Sequence, residues 1–127
     1  MGMKNAITNI VINILKTYDI YKSDYKHNER SNNIMKHYII VKFTEGTDVK
    51  ALVEPVRAIF EETLTIPGIH TLDLHVSNSD IANRYDLMIV FDMDKEALPA
   101  YAASEPHLRW KSEYADRIAK KAIFDCD

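Results

Sequence analysis

The sequence predicts an α+β domain over residues 35 to 127, with an antiparallel sheet carrying helices on one side. Three observations support this: apolar alternation with a period of two at several places, an apolar helical face between the first two of them, and turn residues at the junctions. His37, Ile39, Val41 and Phe43 alternate with Tyr38, Ile40 and Lys42, the pattern of a half-buried first strand. Thr47 and Asp48 then open a stretch in which Val49, Leu52, Val53, Val56 and Phe60 share one helical face. Pro55 lies inside that stretch. It has no N–H to donate and its ring crowds the carbonyl four residues back, so a kink or a late helix start is expected.

Pro67-Gly68 closes the first helix, and Leu72, Leu74 and Val76 mark a second strand. A polar loop through Ser77 to Asp80 leads to Tyr85. From Leu87 to Phe91 both alternating sets are apolar, as expected of a strand covered on two faces. Asp94 stands where it can cap a short helix containing Leu98 and Tyr101, and Glu105-Pro106 interrupts that helix. A second helix through Leu108, Trp110 and Tyr114 follows, and Ala122, Ile123 and Phe124 make the closing strand. The order β-α-β-β-α-β is the ferredoxin-like arrangement. Its helices cover one sheet face only, whereas the first and third strands are apolar on both. A bare face would exceed the apolar patch that soluble monomers usually expose, so a homodimer is expected, with two sheets closing a dimeric α+β barrel.

Bulk properties narrow the classes. The chain has 127 residues, 46% hydrophobic and 28% charged, enough for one folded domain and an appendage. Its net charge is −3. Five cations against three anions make residues 1 to 34 basic, so the main domain is the acidic part, and no stripe of Lys and Arg with aromatics suggests nucleic-acid binding. Cys126 is the single cysteine and no secretory segment stands out, which points to a reducing, cytoplasmic setting. Residues 1 to 34 form an N-terminal extension. Ile7, Ile10, Val11, Ile14, Leu15 and Tyr18 recur at helical spacing, and the polar run from His27 to Asn33 resembles a linker. Thr8, Asn9 and Asn13 interrupt its most apolar stretch, which is far shorter than the roughly 20 residues of a membrane span. Two readings stay open: an amphipathic arm that docks on the domain or a partner, and a dispensable extension.

The order of several segments resembles the stress-responsive A/B-barrel (Dabb) domains. The resemblance covers residues 35 to 127. It rests on Met35 to Phe43, Glu45-Gly46-Thr47, Ile66-Pro67-Gly68, Tyr85-Asp86-Leu87, the Ala97 to His107 segment, and Ile123-Phe124-Asp125. It implies the dimeric barrel already expected from burial. Similarity to a plant cyclase of the family implies further that Tyr101 and His107 match its tyrosine and histidine, with His37 and Asp125 matching a histidine on its first strand and an aspartate on its last. Two departures stand out. Ser104-Glu105-Pro106-His107 replaces the family's His-Pro-x-His, and Lys121 takes the place of an apolar pocket residue.

The residues suggest a chemistry of their own. Pro106 suits a first helical turn, which places His107 at the positive end of the helix, where neutral imidazole is favoured and can accept a proton. Tyr101 can hydrogen-bond a carbonyl or enolate oxygen if the break at Ser104-Glu105 folds it toward His107. Asp125, if it reaches the His107 ring, would fix its tautomer. His37, Ile39, Val41, Phe60, Trp110 and Ile123 are candidates for an apolar pocket, although core packing is the commoner use of such residues. Lys121, if turned inward, needs an acidic ligand or Asp125 as partner. His70 and His75, five apart on one strand, should point to opposite faces and make poor ligands for a shared metal. No cofactor motif is visible. The expectation is a homodimer that binds a small apolar or keto-type molecule. The alternatives are a cyclase or isomerase working by acid/base chemistry and a purely structural stress protein.

Overall fold

The computed structural model describes residues 33–127, so the expectations for the N-terminal extension fall outside the described residues. The elements run β1 (Ile34–Phe43), α1 (Val49–Glu61), β2 (Ile69–Val76), β3 (Leu87–Asp94), α2 (Leu98–Ala103), α3 (Glu105–Tyr114) and β4 (Ile118–Cys126). Short 3-10 turns at Glu62–Thr65, Lys95–Ala97 and Ala115–Arg117 extend or join the helices. The sheet order is β2-β3-β1-β4, with every neighbouring pair antiparallel. This is the expected α+β ferredoxin-like arrangement, with the first and last strands side by side.

Several local expectations change. Helix α1 is neither delayed nor interrupted: Asp48 caps it by accepting from the Ala51 amide, and it passes through Pro55 to Glu61. Asp94 precedes the 3-10 turn without capping it, because its carboxylate bonds the His70 ring at 2.8 Å instead. Strand β3 continues to Asp94 and β4 spans nine residues, both longer than their apolar cores suggest. Charged residues in these strands lie at ends or on an uncovered edge, where hydropathy does not mark strand limits. Gly68 has a φ of +92°, and a Cβ there would stand 2.9 Å from the Cβ of Ala97, so the turn into β2 requires glycine.

One face of the sheet meets the helices. Ile39, Val41 and Phe43 from β1 and Leu87, Ile89, Phe91 and Met93 from β3 are buried against Val56, Ile59 and Phe60 of α1 and Trp110 and Tyr114 of α3. At this face the alternation of β3 is complete, inward residues buried and outward ones partly covered. Arg109 on α3 binds both Glu105 and Glu62, joining α3 to the turn after α1. Lys42 donates to the carbonyls of Ala82 and Arg84, and Asp86 accepts from the Phe43 amide, which fixes the loop before β3.

None of the described helices lies on the opposite face. By register Tyr38 lies between Val90 and Phe124, and Ile40 between Met88 and Ala122. Phe124 is 59% exposed. Lys36 and Asp92 form an ion pair at the end of this apolar band, and the Lys36 ammonium holds the Asp92 carboxyl below the usual carboxylate range.

Candidate functional site

Four of the residues singled out by sequence gather where β1 and β4 meet the break between α2 and α3. The break forms at Ser104, whose backbone is extended (φ −68°, ψ 150°) between two helical segments. Its hydroxyl donates to the Tyr101 carbonyl at 2.7 Å and accepts from the His107 amide at 3.4 Å, so one side chain ends α2 and starts α3. The chain turns back on itself there. Tyr101 and His107, six residues apart, consequently pack against each other with ring centroids 4.8 Å apart and planes tilted by 50°.

Strand register supplies the other side. His37 on β1 pairs with Asp125 on β4, and the imidazole Nδ1 meets a carboxylate oxygen of Asp125 at 2.5 Å. The His37 ring stands edge-on to Tyr101, centroids 5.5 Å apart. The Asp125 partner is thus His37 rather than His107. His37 and Asp125 are cross-strand neighbours, whereas His107 already satisfies its Nδ1 at the Ala102 carbonyl, 2.9 Å away.

These contacts define the imidazoles. A carbonyl oxygen only accepts, so Nδ1 of His107 carries the proton and, in the neutral ring, Nε2 is the free base. Nδ1 of His37 likewise faces an acceptor when Asp125 is ionised, leaving its Nε2 unprotonated in the neutral form. Burial lowers the pKa of His107, opposed by the Ala102 hydrogen bond and reinforced by the charges of Lys111 and Lys121 and by His37. Neutrality at His107 therefore arises first from desolvation rather than from the helix end that the sequence suggested. Tyr101 is 1% exposed, and burial raises its pKa so that it remains a proton donor. Its hydroxyl has no hydrogen-bond partner among the described residues.

The residues proposed as pocket walls divide into two groups. Ile39, Val41, Phe60 and Trp110 belong to the packed core, with Phe60 against both Phe91 and Trp110. Lys121 and Ile123 lie on β4, in the same row as Asp125 by their pairing with Val41, Ile39 and His37. That row faces the helix side yet is exposed, Ile123 to 50%, because β4 meets the rest of the fold chiefly through β1. His70 occupies a bulge between Ile69 and Thr71, which defeats the alternation argument for that histidine. Hollows among the described residues lie at the opposite end of the sheet, one of 190 Å³ lined by Ile40, His75, Val76, Tyr85 and Met88, and these do not touch Tyr101, His107 or Asp125. No described helix is long and apolar enough to cross a membrane.

No protein-family model and no curated protein matches the chain. Solved structures do. A dimeric ferredoxin-like protein of unknown function from Thermobifida fusca matches at 18% identity and a TM-score of 0.62, over 73% of this chain and 89% of that one. A dimeric ferredoxin-like protein of unknown function from Jannaschia sp. matches at 20% identity and 0.60, over 74% and 98%. A Dabb family protein with a ferredoxin-like fold from Mesorhizobium loti matches at 10% identity and 0.52, over 74% and 95%. The fold is thus one found in the Dabb type and in related dimeric ferredoxin-like proteins.

Proposed function

We propose that this chain forms a cytoplasmic homodimer that binds a small carbonyl compound beside Tyr101 and moves a proton on it by acid/base chemistry. The observation that carries the site is the Tyr101 hydroxyl, buried with no hydrogen-bond partner among the described residues, on a ring that contacts the imidazoles of both His37 and His107. Leaving such a group unsatisfied costs about 1–3 kcal/mol, a cost that a ligand oxygen accepting its proton would relieve. His107 packs over Tyr101 and is the more exposed of the two, so a ligand displaces or joins His107 to reach the hydroxyl.

In this reading Tyr101 donates a hydrogen bond to the carbonyl oxygen and stabilises the enolate as it develops. His107 Nε2 takes the proton from the adjacent carbon and can return it elsewhere, which accommodates either isomerisation or aldol-type ring closure. The Asp125–His37 pair sets a second imidazole edge-on against the Tyr101 ring and holds that ring in place. Dimerisation would cover the Tyr38, Ile40, Met88, Val90 and Phe124 band, consistent with the dimeric state named for two of the matched structures.

Exchange of α-protons on a methyl ketone in D2O, followed by NMR, tests the chemistry. The native protein should accelerate exchange and His107→Ala should lose roughly 100-fold or more of that acceleration. Unchanged exchange in the variant would remove the acid/base role. Binding without any exchange would assign the site to ligand capture alone.

A further inference from the structure

Strand β4 gives the site a polarity that the carbonyl reading does not use. Its helix-side row runs Lys121, Ile123, Asp125, opposite Val41, Ile39 and His37 of β1. The helices stop short of it, so the row forms an open shelf beside α2 and α3 with an apolar middle. Lys121 and Asp125 stand four residues apart, roughly 13 Å along the strand at about 3.3 Å per residue. The Asp125 end is occupied, because its carboxylate holds His37. The Lys121 end is not: neither Lys121 nor Lys111 joins an ion pair among the described residues. Lys111 lies one helical turn beyond His107 on α3, and both ammonium groups act electrostatically on that imidazole.

We infer that the ligand is an acid: a carboxylate held at Lys121, with Lys111 adding positive field, an apolar stem over Ile123, and a carbonyl delivered to Tyr101 and His107. The inference rests on the carbonyl-site reading above and adds its anionic end. Charge complementarity selects the occupant. A shelf with an unpaired cation at one end and an unpartnered buried hydroxyl near the other matches an oxo-acid better than a neutral ketone. Orientation follows as well, since the carboxylate end cannot approach Asp125 without like-charge repulsion.

Titration calorimetry with 6-oxoheptanoate and its primary amide, on the full chain, tests this. The native protein should bind the acid at least about tenfold more tightly than the amide, the effect of one charge-assisted hydrogen bond. Lys121→Met should erase most of that preference and leave amide affinity unchanged, with circular dichroism confirming the fold. Acid affinity unaltered in Lys121→Met, or equal loss for both probes, overturns the inference. Equal binding of the two probes by the native protein, with Tyr101→Phe weakening both, overturns the acid end and leaves the carbonyl site standing. Binding of neither probe, or binding that Tyr101→Phe does not affect, overturns both.

Discussion

Asp125, from the last strand, holds Nδ1 of His37 in the first strand at 2.5 Å, and His37 in turn stands edge-on to Tyr101. Removing the carboxylate should therefore act on His37 and not on His107. In Asp125→Ala, 15N NMR should show His37 losing its fixed Nδ1–H tautomer while His107, tied to Ala102, keeps its own. A change confined to His107 would contradict this pairing.

Tyr101→Phe separates stability from binding. The phenol oxygen is buried without a partner among the described residues, so deleting it should stabilise the fold by about 1 kcal/mol in urea unfolding. The same variant should lose affinity for carbonyl ligands. A clear loss of stability would mean that the hydroxyl has a partner.

His107 makes stability depend on pH in a definite direction. Its pKa in the folded protein is lowered by burial, so the unfolded chain binds the proton more readily. Its contribution is complete above the ordinary histidine pKa, near 6.5, and is lost as pH falls through the folded value. Denaturant midpoints measured from pH 8 to 5 should fall on the acid side, and His107→Gln should reduce that slope. An unchanged slope would place the proton uptake elsewhere.

The uncovered sheet face gives a test of assembly. Phe124 and Ile40 are apolar members of a band that the expected dimer buries. Light scattering should give a dimer for the native chain, and Ile40→Lys with Phe124→Asp should give a monomer. A native monomer at high concentration would refute the pairing.

Much of this was legible in the sequence because it depends on periodicity. The alternation from His37 to Phe43 correctly placed β1, and the Pro67-Gly68 turn marked the start of β2. The proximity of Tyr101 and His107 was also accessible, since Ser104 before Glu105-Pro106 is a helix stop and a cap at once. The partner of Asp125 was not. Which strand lies beside β4, and in what register, is a non-local outcome, and only that register puts His37 opposite Asp125. The persistence of α1 through Pro55 was missed for a different reason: the packing of Val56, Ile59 and Phe60 outweighs the lost hydrogen bond. The exposure of Ile123 could not be read from hydropathy either, because a strand cannot reveal that the helices fail to reach over it.

The ladder between β1 and β4 joins segments some ninety residues apart, Lys36 opposite Cys126. During synthesis β1 must therefore wait, with one of its flanks unclaimed, until nearly all the described chain has left the ribosome. Contacts of such long sequence separation form late and slow the search for the native state. Premature termination just before Asp125 would yield a protein able to collapse yet lacking the carboxylate that grips His37.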